Sequence, residues 1–354
     1  MAATAILPLA AAESAIQQLV PTADAIIRVA SQLRWRQYTP RGGASRSGGR
    51  AGMIGRSAWL TQYPTVFRAM TGISVAEYRQ IVQELAAPYA VAEQQRLSRP
   101  ARRRAIGGGR RFTLSLADQL LLTIIWLRQY PTFPVLGYLF GLDDRPAARI
   151  VARLLPLLEA AGRASMRLPD PGPRHRRDLP QLLKNTPGLM VLVDTFEQRV
   201  QRPSDPAEQK QWYSGKKKAH TIKVQVAVEE TTGRIVDVAD GMPGPTADIT
   251  VLKGSALPER LPPGTGLMGD SAYQSLATLH PEGYSPRKKP KGQPRPDEDR
   301  AYNREIARRR VKAEHSIGRL RRFEALTARD RQHRVGHTGR VCAVVGLVNR
   351  QLAA

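Results

Sequence analysis

Three acidic residues stand out in a chain that is otherwise strongly basic. Asp194 closes the apolar run Leu189–Val193, Asp270 closes the shorter run Gly266–Gly269, and Glu314 lies within the Arg-rich stretch Arg308–His315. Carboxylate oxygens are hard donors that suit divalent magnesium or manganese. Acids at the ends of two strands and a third on a helix can converge on one point. Three such carboxylates can hold two ions roughly 4 Å apart, one activating an oxygen nucleophile and the other stabilising the leaving oxygen of an in-line displacement at phosphorus. Each acid also has a plainer reading: a turn or helix cap for either aspartate, an i,i+4 salt bridge with Arg310 for Glu314. The combination shifts the balance, because a net charge of +25 marks a chain that meets polyanions.

The elements around these acids form a consistent set. Leu189–Val193 is a continuous apolar run short enough for a buried strand. Residues 220–228 alternate at period two around β-branched side chains, Thr231–Arg234 supplies a turn, and residues 234–239 form the next strand. A short helix over 248–257 and a fourth strand over 267–270 follow, then a long helix from about Asp297 to Phe323 behind the basic loop Pro286–Gly292. Strand ends in open α/β sheets are where ligands bind, which places Asp194 at the mouth of the sheet. Gly269 allows close approach to Asp270. On the long helix, Ile306, Ala313, Ile317 and Leu320 make an apolar stripe. Arg310, Glu314 and Arg321 fall on the neighbouring stripe, so Glu314 borders the buried side.

The N-terminal half reads as helical. Ser74 and Glu77 form a capping box at the start of a helix over 74–95. Three helical patterns then occupy about 113–160. The first starts at Ser115 and stops before Pro131, the second starts near Pro134, and Phe140-Gly141-Leu142 turns into a third that begins after Asp143 or Asp144. Arg145, Arg149 and Arg153 recur at spacing four on that third helix. The pattern fits a helix-turn-helix with a basic recognition helix, or a three-helix bundle with a solvated Arg face. Residues 1–35 are weakly amphipathic, and the Gly- and Arg-rich segments 41–50 and 102–111 read as linkers. Pro169–Arg177 marks a domain boundary by composition. The expected organisation is an N-terminal extension over 1–65, a helical DNA-binding domain over 66–165, a linker over 166–187 and a catalytic α/β domain over 188–350.

Bulk properties bound the function. The 354 residues carry 55 Lys and Arg against 30 Asp and Glu, and 42% are hydrophobic. That excludes a disordered chain and favours nucleic acid as partner. The single cysteine, Cys342, excludes an intramolecular disulfide and a multi-cysteine zinc site. No signal-like basic n-region precedes the apolar N-terminus, and no apolar run approaches the ~20 residues of a membrane span. A soluble cytoplasmic protein associated with the nucleoid, without membrane contact, is expected.

Several stretches resemble the DDE transposases of bacterial insertion sequences, in particular the insertion-sequence-5 type. They are Val193-Asp194-Thr195, Trp212–Thr221, Pro243–Asp248, Gly269–Gln274 and Arg310–Leu320, together with the helix-turn-helix segment Leu136–Gly141. The resemblance spans roughly residues 70–350. It implies an RNase H-like core, a mixed sheet flanked by helices, preceded by an all-α helix-turn-helix domain. It implies Asp194, Asp270 and Glu314 as the metal-binding triad for two Mg²⁺ (or Mn²⁺) ions, cutting at element ends, and attack of the freed 3′-hydroxyl on target DNA. Double-stranded DNA would be the partner, and pairing two ends calls for a homodimer or larger assembly. Arg145, Arg149, Arg153, Lys216, Lys217, Lys218, Lys223, Arg310 and Arg321 are the expected DNA contacts, with Asp248, Trp212 and His315 in auxiliary roles. The chain departs from the family's last-helix signature at Ala307 and Arg321, where Tyr and Lys are usual, and at Ala247, where His commonly precedes the Asp. A transposase-derived regulator and a nuclease without strand transfer are the competing readings.

Overall fold

The computed structural model describes residues 55–98, 114–169 and 189–352. The expected features at 1–35, 41–50, 102–111 and 170–187 lie outside these residues. The chain divides into two compact units, Met1–Leu157 and Leu158–Ala354.

The first unit is helical, with α1 (Ser57–Leu60), α2 (Pro64–Thr71), α3 (Val75–Leu97), α4 (Leu116–Gln129), α5 (Phe133–Phe140) and α6 (Asp144–Ser165), whose last turns lie in the second unit. The α3 capping box forms. Ser74 Oγ accepts from the Glu77 amide at 3.2 Å, and the Glu77 carboxylate accepts from the Ser74 amide at 2.5 Å. Such a cap contributes about 1 kcal/mol. Leu120, Leu121, Ile124, Ile125 and Leu127 are all fully buried, as are Thr123 and nearly so Gln119, so α4 is the axis of this unit, buried around its whole circumference. It ends at Tyr130, in a left-handed conformation before Pro131. Gly141, with φ +67°, ends α5, and the Leu142 amide closes back on the Gly137 carbonyl at 2.8 Å. The helix–turn–helix α4–α5–α6 expected from Pro131, Pro134 and Gly141 is present.

The second unit is built on a mixed sheet. Its strands are β1 (Leu189–Arg199), β2 (Tyr213–Ser214), β3 (Ala219–Glu229), β4 (Ile235–Val238), β5 (Met242–Pro243), β6 (Thr265–Met268) and β7 (Gly283–Tyr284). The order is β2-β3-β1-β6-β7, with β4 and β5 also paired to β3. β3 runs antiparallel to β1, whereas β6 is parallel to β1 and β7 parallel to β6. The helices are α7 (Pro206–Trp212), α8 (Asp248–Ser255), α9 (Leu257–Arg260), α10 (Leu276–Leu279), α11 (Asp297–Leu320) and α12 (His337–Arg350). One core joins Val191, Val193 and Leu267 of the sheet to Leu252, Leu257 and Leu276 of α8–α10. α11 packs on β1 and β3, and α12 on β4. This is the expected α/β, RNase H-like arrangement.

Two differences from the sequence reading matter for the site. β1 does not stop at Val193 but continues to Arg199, with Phe196 and Gln198 turned into the interior. Asp194 is therefore a mid-strand residue; alternation sustains the strand after the continuous apolar run ends. The chain also forms α12, around Cys342, for which the sequence reading assigned no element. Gly162, in the part of α6 that belongs to this unit, crosses α12 so closely that an added Cβ would collide with the Cys342 carbonyl.

Candidate active site

The register of β1 and β6 sets the centre of the site. Leu192 lies opposite Met268 on parallel strands. Asp194 follows two residues along β1 and Asp270 two residues past Met268, beyond the end of β6, so both acids lie where the parallel pairing ends and the charge of Asp270 reaches Asp194. Gly269 is required there by packing: a Cβ would sit 2.6 Å from the Tyr273 ring. Asp270 Oδ1 accepts from the Ala272 amide at 2.8 Å and caps the short turn Ser271–Tyr273. That turn drives Tyr273 into the core, where its hydroxyl donates to Gln225 Oε1 on β3 at 3.1 Å.

Asp194 Oδ1 accepts from the following amide, Thr195, at 2.8 Å, and its Oδ2 lies 3.3 Å from Arg310 Nη2 on α11. The apolar stripe Ile306, Ala313, Ile317 and Leu320 is buried as expected and seats α11. Arg309, paired with Glu230 beyond the end of β3, and Ser316, donating to the Gly233 carbonyl at 2.7 Å, fix the helix along the sheet. The Arg310–Glu314 salt bridge is not formed. Arg310 turns to Asp194 instead, and Glu314 is exposed with no hydrogen bond or ion pair among the described residues.

Asp248 begins α8. Its Oδ1 accepts from Lys223 Nζ at 2.6 Å, and the same ammonium donates to the Thr246 carbonyl at 2.6 Å. The charge of Asp248 reaches Asp194. Burial raises Asp194 above the usual carboxylate range, Arg310 pulls it back, and the charges of Asp270 and Asp248 push it up further. Burial, followed by Asp248, Asp194 and Asp270, holds the Tyr273 phenol well above its ordinary value. The structure thus gathers Asp194, Asp270, Asp248 and Arg310.

The remaining expected contacts divide. Arg145 and Arg149 are exposed on α6. Arg153 is held by Glu93 at 3.5 Å and Gln119 at 3.3 Å, which makes it a tie within the helical unit. Lys216, Lys217 and Lys218 are exposed in the β2–β3 turn. Lys223 corrects the expectation of a DNA contact, because it is 8% exposed and its ammonium is engaged by Asp248 and Thr246. Trp212 lies under the Arg334 guanidinium, 4.5 Å from the ring centroid, and packs locally. Arg321 and His315 are exposed. Sequence reasoning passed over a pocket of about 420 Å³ beside Asp270 and Arg310, also lined by Arg287, Lys288, Lys289 and Arg295. Its signal was the basic loop Pro286–Gly292, read only as a connector.

Residues 193–349 match the family described as DDE superfamily endonuclease, and residues 112–164 match the helix-turn-helix of DDE superfamily endonuclease. The chain is also 28% identical, over 289 residues, to a probable transposase for insertion sequence element IS702 from Microchaete diplosiphon. That alignment covers 81% of this chain and 94% of the relative. These two regions of the chain thus match the DDE superfamily endonucleases and their helix-turn-helix, and the chain is similar to an insertion-sequence transposase. No solved structure matches it.

DDE superfamily endonucleases generally use divalent metals. The donor chemistry at Asp194 and Asp270 fits such an ion: two carboxylates, one with its ionised form disfavoured by burial and by its neighbours, which a cation would reverse. Among the described residues no three His, Cys, Asp or Glu side chains stand close enough to make a complete metal cage. Glu314 is exposed and makes no hydrogen bond or ion pair with Asp194 or Asp270 among the described residues.

Proposed function

We propose that this chain is a DDE transposase that cuts phosphodiesters at the ends of a mobile element and joins the freed 3′-hydroxyl to target DNA. The observation that carries the reading is that Asp194 on β1 and Asp270 just past the end of β6 each lie two residues beyond the last paired position, Leu192 opposite Met268, with Arg310 against Asp194. Asp194, Asp270 and Glu314 would hold two divalent ions, magnesium or manganese. When bound, these ions supply an activated attacking oxygen and charge neutralisation at the leaving oxygen.

The chain's own residues have separable tasks. Ionised Asp194 and Asp270 supply hard oxygen donors on a rigid sheet, and the Tyr273–Gln225 hydrogen bond keeps the Asp270 turn in register. Arg310 offsets the negative charge of the acids and of an incoming phosphate. Strand transfer breaks one phosphodiester as it forms another, so the 3′-hydroxyl attack needs correct placement and no external energy source. Arg145 and Arg149 on α6 are the exposed candidates for groove contact, and Lys216–Lys218 for the flanking backbone. Two ends must be held together, which implies a dimer or larger assembly on DNA, in the cytoplasm at the nucleoid.

The test is incubation of the full chain with end-bearing DNA and a target plasmid, with Mg²⁺ and then with EDTA. Joined products that vanish with EDTA support transposition. Cuts without joining reduce the activity to a nuclease, and binding alone to a regulator.

A further inference from the structure

The pocket beside Asp270 is more fully built than a surface groove. Gln274 Nε2 donates to the Pro286 carbonyl at 2.7 Å. Asn303 accepts from the Arg287 amide at 2.7 Å and donates to the Arg287 carbonyl at 3.0 Å. The Arg287 guanidinium is itself spent on structure: it bonds Glu298 at 3.2 Å and Asp299 at 2.9 Å and lies 4.4 Å from the Tyr302 ring centroid. These contacts anchor the loop and leave its other cations available. Lys288 and Lys289 are exposed, with no ion pair among the described residues. The Nε groups of Arg295 and Arg310 are buried and have no hydrogen-bond partner among the described residues. Buried donors left unmatched are costly, and two of them in one basic pocket call for an anionic acceptor. At about 420 Å³ the pocket falls within the roughly 300–1,000 Å³ of ordinary ligand sites.

We propose that Lys288, Lys289 and Arg295 form a phosphate subsite that holds the DNA backbone next to the scissile phosphate. Asp270 and Arg310 belong to both the pocket and the acidic cluster. A strand whose cleaved phosphate lies at the acids would therefore present a neighbouring phosphate to the pocket. Guanidinium N–H groups suit phosphate oxygens, and the two lysines add point charges at the rim. This subsite rests on the proposed role of the acids, yet it can be tested apart from it.

The experiment is a salt titration of DNA binding by the full chain in EDTA, using a fluorescein-labelled random-sequence duplex. The chain is compared with the triple variant Lys288→Ala/Lys289→Ala/Arg295→Gln and with Lys288→Arg/Lys289→Arg/Arg295→Lys. Each phosphate contact contributes about 0.9 to the slope of log K against log salt. The alanine–glutamine variant should lose roughly 2–3 from that slope, and the basic variant should restore it. An unchanged slope in the first variant overturns the proposal. So does an unchanged slope accompanied by loss of inorganic phosphate binding in calorimetry, which would make the pocket a free-phosphate site. Failure of Asp194→Asn to stop cleavage in Mg²⁺ would defeat the catalytic reading while leaving the slope result standing.

Discussion

Acidification should loosen β1 through a single histidine. His337 begins α12, is fully buried, and lies with its Nε2 2.7 Å from Gln198 Oε1. Gln198 spends its amide on the carbonyls of Ala325 at 2.9 Å and Ala328 at 2.8 Å, so its oxygen must accept and His337 Nε2 must carry the proton. Nδ1 is then the site a second proton would take, and it is buried without a hydrogen-bond partner among the described residues. Burial, reinforced by the Arg340 charge, lowers the His337 pKa to about 3 from 6.5. Because the folded value is the lower one, the unfolded chain binds the extra proton first. The stability that follows from keeping His337 neutral is complete above about pH 6.5 and is lost as pH falls towards 3. Between pH 7 and 5 the loss is about 2 kcal/mol, a roughly 30-fold rise in the opening equilibrium. The assay is amide exchange of residues 189–199 at both pH values, corrected for intrinsic rates, in the wild type and in His337→Gln. The variant keeps a donor towards Gln198 and removes the titration. Its protection should fall by about 2 kcal/mol less than that of the wild type; equal losses in the two proteins would refute the reasoning.

Other consequences can be checked in the same protein. Asp194→Asn, Asp270→Asn and Glu314→Gln should each abolish cleavage in Mg²⁺ while DNA affinity in gel shifts stays near that of the wild type; retained cleavage would remove that acid from the site. Lys223→Met leaves Asp248 without its ammonium in a largely buried setting. It should cost about 3–5 kcal/mol in urea unfolding with the salt slope of DNA binding unchanged, and a normal stability with a weakened slope would restore Lys223 as a DNA contact. Gly162→Ala forces a Cβ against the Cys342 backbone. A destabilisation of about 3 kcal/mol in thermal unfolding is expected, and an unchanged melt would mean that the crossing is looser than described.

Local signals made much of this fold legible. Pro131, Pro134 and Gly141 each act on their own backbone, so the breaks between α4, α5 and α6 followed from residue type alone. Period-two alternation located β3, and the stripe Ile306–Leu320 located the buried side of α11. What stayed hidden depends on partners. β2, β5 and β7 are two-residue strands with no period of their own, defined only by pairing to β3 or β6. The same limit applies to the site. Asp194 and Asp270 could be named because each closes an apolar run. That Lys223 serves Asp248, or that Lys288 and Arg295 share a pocket with Arg310, depends on which strands and loops become neighbours.

The charge balance at the acids explains why this site can exist before it meets a metal ion or DNA. Asp194, Asp248 and Asp270 repel one another within a partly buried space, as the raised Asp194 pKa registers. Arg310 pairs with Asp194, and Lys223 is shared between Asp248 at 2.6 Å and Glu197 at 3.9 Å. Asp270, the acid that also lines the basic pocket, has no ion pair among the described residues. A divalent cation would offset the excess of negative charge and make room for a DNA phosphate. Electrostatics favours an order in which a cation binds first at the acids, because it would lower their repulsion of the scissile phosphate, while the basic pocket beside them can hold its phosphate without one. Arg310 stands between the acids and the pocket with its Nε unmatched, so it is the residue able to contact both the cluster and the strand. On this reasoning, Arg310→Ala should raise the metal concentration needed for half-maximal cleavage less than it weakens DNA binding. The reverse ranking would mean that Arg310 serves only to hold Asp194.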